Sequence, residues 1–203
     1  METGRSQYNP FEGLTINEEL NFSWENQGDI RGEKCKPYKI IRKDKYQSAG
    51  LYSFVLNLDQ QGQILYIGKA GGLKPKTSDR WVNGIFTRAM DHWKSGPFRA
   101  LVLKLNCNIH LWTIDFRKEI GKIGERDIER IENELLRFLK CMDKMPQGNT
   151  AIEGGKRRHF RVQFKFAPDE PLSRIILQPG KCEDNRKRDR DVHKIIKFQD
   201  VHE

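Results

Sequence analysis

The centre of the fold is predicted from the stretch Gly50-Leu-Tyr-Ser-Phe-Val-Leu-Asn-Leu-Asp-Gln-Gln-Gly-Gln-Ile-Leu-Tyr-Ile-Gly68. Its two ends are rich in β-branched and aromatic residues, and a short glycine-containing segment, residues 59–62, separates them. This pattern is typical of a β-hairpin with a short connection. Tyr52 lies on the first predicted strand and Tyr66 on the second, so the hairpin can bring two tyrosine hydroxyls together.

Strict alternation of side chains along each strand predicts which residues of the hairpin share a face. Three sets are expected on common faces: Tyr52, Phe54 and Leu56 on the first strand, then Leu65 and Ile67, and opposite these Ile64 and Tyr66. Aromatic pairs across strands commonly do no more than stabilise a sheet. The tyrosine pair therefore needs further residues before it indicates any chemistry.

Two amphipathic helices are predicted after the hairpin. Apolar residues spaced by three and four predict a helix over residues 82–94, on which Arg88 and His92 share a face. The same spacing predicts a longer helix over residues 125–142, with Glu132 at the margin of its apolar stripe. A carboxylate in that position can border a cleft while its helix packs on a sheet. The other acidic residues of this helix are expected to form a solvated face: Glu125, Asp127, Glu129 and Glu134.

The order of these residues along the chain resembles the GIY-YIG nuclease family. The resemblance covers about residues 48–150 and includes both tyrosines, an Arg, a His one helical turn later, a Glu that begins Glu-Asn-Glu-Leu-Leu, and a later Asn. Leu51 stands where the motif has its central Ile, which is a conservative change. The resemblance implies that one set of side chains builds an active site: Tyr52, Tyr66, Arg88, His92, Glu132 and Asn149. Lys69, which directly follows the second tyrosine motif, is expected to act beside them.

The resemblance also implies the fold, an α+β architecture with a small, mainly antiparallel three-stranded sheet flanked by helices. Residues 110–116 are expected to supply the third strand. The chain divides into an N-terminal arm over residues 1–47, a catalytic core over 48–150 and a basic C-terminal extension over 151–203, which packs on or near the core. Further elements are predicted from local patterns: a short helix over 14–22, strands at 38–41, 100–105 and 159–166, and a short element over 172–177.

Hydrolysis of a phosphodiester requires an activated water, stabilisation of charge on the phosphoryl oxygens and help for the leaving alkoxide. One divalent ion per site, Mg²⁺ or Mn²⁺, can meet the last two needs. The resemblance assigns Glu132 as its only direct protein ligand, with Glu134 as the rival. It also implies that one motif tyrosine orients or deprotonates the water, aided by the other tyrosine and His92, and does not rank the two. Lys69, Arg88 and the metal are expected to lower the pKa of that tyrosine.

The chain is basic, with 37 Lys and Arg against 28 Asp and Glu among 203 residues and a formal net charge of +9. A balance of this size favours a polyanionic partner, with nucleic acid ahead of an anionic membrane. Basic residues in the loop after the hairpin and in the run after the core are expected to contact DNA: Lys74, Lys76, Arg80, Arg157 and Arg158.

Asn149 is expected either to support the site or contact phosphate, or to be an ordinary turn residue.

No run of the sequence approaches the roughly 18 apolar residues of a membrane span, and the first residues lack the pattern of a secretory signal. A cytoplasmic location without a membrane partner is therefore expected. The four cysteines are far apart and form no Cys-x-x-Cys pair, which argues against a zinc ribbon and a disulfide framework.

Together these observations predict a metal-dependent endonuclease that acts on double-stranded DNA. A core with an extension on each side is typical of a type II restriction endonuclease, in which a homodimer would match a palindromic site. Two alternatives stay open: a structure-selective repair or phage nuclease, and a non-catalytic nucleic-acid-binding module of the same fold.

Overall fold

The structure, a computed structural model, describes residues 7–9, 13–30, 47–56, 62–72, 84–94, 108–149, 160–166 and 171–180. These residues form twelve elements in chain order: β1 (Gln7–Asn9), β2 (Gly13–Thr15), β3 (Leu20–Phe22), β4 (Glu25–Asp29), β5 (Gly50–Leu56), β6 (Gln63–Ala70), α1 (Ile85–Lys94), β7 (Ile109–Asp115), α2 (Phe116–Ile120), α3 (Glu125–Cys141), β8 (Phe160–Lys165) and β9 (Arg174–Pro179). The predicted α+β class is confirmed. The strands form a two-stranded, a three-stranded and a four-stranded sheet.

The central sheet has the strand order β4-β7-β5-β6, and all neighbouring strands are antiparallel. The predicted hairpin and the predicted third strand, β7, are confirmed. The sheet is one strand wider than predicted because β4, from the predicted N-terminal arm, pairs with β7. Part of the arm is thus built into the same sheet as the hairpin.

A β-bulge changes the side-chain pattern of the hairpin. Phe54 pairs with Tyr66, whereas the next pair uses Ile64, so Leu65 is an extra residue. The prediction that side chains alternate strictly between the two faces of β6 is therefore wrong at Leu65. Leu65 packs in the same core as Phe54, and Ile64 packs against the core on the other face. Tyr66 lies beyond the bulge, in regular register, and keeps the face that it shares with Tyr52.

Two helices cover the two faces of the central sheet. On one face α1 packs its buried Ile85, Ala89 and Met90 against the core that contains the paired tyrosines. On the other face lies α3, which also packs against the second sheet, of order β3-β9-β8. The predicted helices over 82–94 and 125–142 and the predicted strand over 159–166 correspond to α1, α3 and β8.

Two polar contacts fasten the second sheet to the rest of the molecule. The buried Arg130 of α3 donates from Nη2 to the carbonyl oxygen of Phe160 at 2.8 Å, and its guanidinium lies 4.4 Å from the centre of the Phe160 ring. Trp24 donates from Nε1 to the carbonyl oxygen of Ser173 at 3.0 Å. Because these donors are buried, each bond also satisfies a group that would be costly to leave unpaired.

The helix predicted over residues 14–22 is wrong, since this segment contains β2 and β3. Leu14 and Ile16 are both buried while Thr15 is less so, which is the two-residue period of a strand. Pairing with β1 and β9 completes the two short strands. The strands predicted at 38–41 and 100–105 lie outside the described residues. Among the residues that are described, no helix is long and apolar enough to cross a membrane.

Candidate active site

The two tyrosines of the hairpin lie together on the α1 face of the central sheet. Tyr52 pairs with Gly68 and Phe54 pairs with Tyr66, so the tyrosines are diagonal neighbours. Their ring centroids are 5.9 Å apart, and their hydroxyls share a hydrogen bond. Tyr52 is only 1 % exposed, whereas Tyr66 is partly exposed. The pair thus has one internal and one accessible member.

Gly68 provides the space in which this pair packs. A Cβ at position 68 would lie 2.5 Å from Cζ of Tyr52 and 2.7 Å from Cε1 of Tyr66. Carbon atoms that are not bonded are most stable at about 3.5–4.0 Å. Any larger residue here would therefore push the rings apart.

Helix α1 brings Arg88 and His92 to the tyrosines. Its N-terminus is fixed by Ile85, whose backbone N donates to Oγ of Ser48 at 3.0 Å, just before β5. The imidazole of His92 stacks on Tyr66, with centroids 4.1 Å apart and an interplanar angle of 18°. Arg88, one turn earlier, is exposed, and its charge affects the pKa of both tyrosines and of His92.

Helix α3, on the other face of the sheet, carries Glu132, whose charge acts on both tyrosines. The helix begins after Gly124, whose backbone N donates to Oδ2 of Asp127 at 3.3 Å. Glu132 is half-buried and lies between the buried residues Ile131 and Asn133, at the margin of the apolar face as the sequence predicts. Its negative charge raises the pKa of both tyrosines. The carboxylate is therefore within electrostatic reach of both hydroxyls.

Burial dominates the acid–base properties of these groups. It raises the pKa of Tyr52 well above the usual 10 and also raises the pKa of Tyr66, while the positive charge of Arg88 opposes both shifts. The hydrogen bond between the hydroxyls raises the pKa of Tyr52 and lowers that of Tyr66. Burial, and then Arg88, lower the pKa of His92 below 6.5. At pH 7 all three rings are neutral, and Tyr66 is the tyrosine that loses its proton more easily.

Lys69 lies on the opposite face of the sheet from the tyrosines. It pairs with Leu51, which packs in the core beneath α3. Its Nζ is 2.6 Å from Oε2 of Glu129, and the two side chains are 29 % and 32 % exposed. The prediction that Glu129 belongs to a solvated acidic face is therefore wrong. The only signal in the sequence is that Glu129 precedes Glu132 by three residues, a spacing that puts both on one side of a helix.

Asn149 supports the edge strand that carries Tyr66. Its Nδ2 donates to the carbonyl oxygen of Ile67 at 2.8 Å, and its Oδ1 accepts from the backbone N of Ile67 at 2.9 Å. The backbone N of Gly148 donates to the carbonyl oxygen of Leu65 at 2.9 Å. The turn before Asn149 therefore continues the hydrogen bonding of the sheet beyond β6. The backbone N of Asn149 donates to the carbonyl oxygen of Pro146 at 3.1 Å, as expected of a turn residue, and its role in an active site stays a prediction.

Glu132 suits a metal site with a single protein carboxylate. In the described ranges, no three His, Cys, Asp or Glu side chains are close enough to hold an ion together. Mg²⁺ usually keeps several waters and is bound through one or two carboxylates plus phosphate oxygens. A half-buried carboxylate near two hydroxyls, which can orient such waters, fits that chemistry. The rival Glu134 instead lies 3.7 Å from Arg137.

The five residues predicted to contact DNA lie outside the described residues: Lys74, Lys76, Arg80, Arg157 and Arg158. Comparison of the chain with protein-family models, with curated proteins and with solved structures found no match.

Proposed function

We propose that this chain is a metal-dependent endonuclease that hydrolyses phosphodiester bonds of double-stranded DNA. The observation that carries the proposal is the convergence of five side chains from β5, β6, α1 and α3: Tyr52, Tyr66, Arg88, His92 and Glu132. They combine hydroxyls, an imidazole, a guanidinium and a carboxylate. These are the groups that activate a water and stabilise charge at a phosphate.

Tyr66 is the better candidate to act on the attacking water. It is the more accessible residue of the two, and its hydrogen bond with Tyr52 lowers its pKa, which favours the deprotonated form. The stacked ring of His92 holds the Tyr66 ring in one orientation. Arg88 lowers the pKa of Tyr66 and is exposed enough to donate to phosphate oxygens.

Glu132 would hold the divalent ion, whose charge stabilises the phosphoryl oxygens and the leaving alkoxide. Arg88 would add N–H donors to the same developing charge. Removing one donor of this kind from other hydrolytic sites costs about 3–4 kcal/mol. We therefore assign the essential charges of the site to one carboxylate and one guanidinium on two different helices.

We further propose that the enzyme is sequence-specific and of the type II restriction class. The segments that flank the core support this, because β4 extends the central sheet and β8 and β9 form a second sheet on α3. The net charge of +9 suits a DNA ligand. The assignment is by analogy, since a fold alone does not specify a substrate.

The decisive experiment is incubation of the purified protein with phage and plasmid DNA, with Mg²⁺ or with chelator. We expect discrete fragments that require Mg²⁺ and that disappear in Glu132→Gln. The matched control is Glu134→Gln, which makes the same change on the same helix at a residue beside Arg137 and should cut normally.

The other outcomes separate the competing functions. A smear that needs Mg²⁺ and Glu132 would support a nuclease but contradict the restriction class. Tight, salt-sensitive DNA binding without cleavage would favour a non-catalytic binding module. Equal cleavage by Glu132→Gln and the wild type would contradict the assigned site.

A further inference from the structure

The ion pair between Lys69 and Glu129 has no part in the chemistry described so far. It joins β6 to α3 through a contact of 2.6 Å. Lys69 follows Tyr66 by three residues on β6, and Glu129 precedes Glu132 by three residues on α3. The pair therefore lies one helical turn from the candidate metal ligand, on the face of the sheet opposite to the candidate base.

Each partner needs the other for a reason that concerns charge. Two carboxylates one helical turn apart would repel a phosphate, and Lys69 compensates the charge of one of them, Glu129. Conversely, a lysine side chain is a flexible four-carbon stem, so its ammonium group has no preferred direction. The short contact with Glu129 fixes the ammonium group on the α3 side of β6.

From this geometry we infer that Glu129 is a positioning residue that orients Lys69 toward the scissile phosphate. The inference rests on the proposed nuclease function. An ammonium group has three N–H donors, and Glu129 accepts one of them. The other two serve phosphate oxygens beside Glu132, so that Lys69 adds a positive charge from the α3 side of β6 while Arg88 adds one from the α1 side.

A purely structural role is the competing explanation. A partly exposed ion pair between two elements commonly contributes little to stability, so both explanations predict little change in unfolding when Glu129 is neutralised. They differ in catalysis. A structural pair leaves turnover unchanged, whereas a positioning pair makes turnover depend on Glu129 only when Lys69 is present.

The test is a double-mutant cycle on cleavage in Mg²⁺ with Glu129→Gln, Lys69→Met and the double variant, with Glu134→Gln as control. We expect Glu129→Gln to lower kcat about tenfold with KM nearly unchanged, because small misplacements of a catalytic group are costly. The double variant should be no slower than Lys69→Met. Glu129→Asp, which keeps the charge, should restore part of the rate.

A second readout does not depend on cleavage. In chelator, Lys69→Met should reduce the slope of log K for DNA binding against log salt by about one, the signature of a lost phosphate contact, while Glu129→Gln and Glu134→Gln leave it unchanged. An unchanged slope in Lys69→Met, multiplicative losses in the double variant, or normal kcat in Glu129→Gln would each overturn the inference. If the wild type itself fails to cut, the proposed function fails instead.

Discussion

At the scale of single residues, the candidate site depends on how tightly two tyrosine rings pack. Gly68 leaves room for both rings. Burial raises the pKa of both hydroxyls, which makes them weaker acids than a free tyrosine. Their exposure then distinguishes two chemically identical side chains. Tyr52 is buried, whereas Tyr66 is partly exposed. The sequence could not make this distinction because it depends on the order of strands in the sheet, in which β5 has a neighbour on each side and β6 lies at the edge.

This difference predicts unequal effects when each hydroxyl is removed. Tyr66→Phe should lower the single-turnover rate of cleavage about 10²–10⁴-fold, the usual contribution of a general base. Tyr52→Phe should lower it less, because Tyr52 acts through Tyr66. Both variants keep an aromatic ring in place, so far-ultraviolet circular dichroism should match the wild type. A larger loss in Tyr52→Phe would reverse the assignment of the base.

His92 predicts a dependence of stability on pH. Its pKa is lowered in the folded protein, by burial first and by Arg88 second. Below pH 6.5 the unfolded chain takes up a proton that the folded chain does not. The contribution of neutral His92 to the free energy of unfolding is therefore fully present above pH 6.5. It is lost as the pH drops from 6.5 to the folded pKa of His92.

The measurement is the urea midpoint between pH 5 and 8 for the wild type and for His92→Gln, which has no titrating ring. We expect the midpoint to fall more steeply with acid in the wild type. Parallel curves would mean that His92 titrates as it does in the unfolded chain.

At the scale of elements, the edge strand β6 depends on a residue far away in the sequence. The amide of Asn149 makes two hydrogen bonds to the backbone of Ile67, as a neighbouring strand would. Asn149→Ala should lower the free energy of unfolding by about 1–3 kcal/mol and speed hydrogen exchange at the Ile67 amide. The control is Asn21→Ala, whose Nδ2 donates to Glu19 on the exposed surface. Equal effects of the two variants would contradict a supporting role.

The elements that could be predicted are those encoded by local periodicity. The hairpin, α1, α3, β7 and β8 each have a clear apolar pattern. β4 does not, since its sequence is Glu-Asn-Gln-Gly-Asp, and only pairing with β7 makes it a strand. The bulge after Phe54 and the second sheet likewise depend on partners distant in sequence. Local patterns contain no information about such pairings.

The same reasoning explains which site residues could be predicted. Arg88 and His92 share a helical face by spacing alone, and the structure sets His92 against Tyr66. The pairing of Lys69 with Glu129 joins a strand to a helix sixty residues later, and no local rule connects them. Asn149 was predicted for the site, but its contact with Ile67 requires the fold of the turn that precedes it.

At the scale of the whole molecule, α3 connects the candidate site with the second sheet. Successive helical residues point about 100° apart, so neighbouring positions can serve different surfaces. Glu129 contacts β6 and Glu132 acts on the tyrosines, whereas Arg130 bonds to Phe160 of β8. Helix α3 therefore links the position of the second sheet to the positions of Glu129 and Glu132.

The proposed nuclease function predicts how two chains meet DNA. One cluster of the candidate side chains is found in the described residues, and the proposal gives such a site one strand to hydrolyse at a time. Cleavage of both strands at a fixed sequence therefore calls for two sites related by a two-fold axis, matching the antiparallel strands of a palindrome. We expect Glu132→Gln, which should bind without cutting, to sediment as two chains on one duplex that contains the cleavage sequence. Wild-type cuts should be symmetric about the centre of that sequence. One chain per duplex, together with nicked DNA that accumulates before the second cut, would contradict the dimer and favour sequential nicking by a monomer.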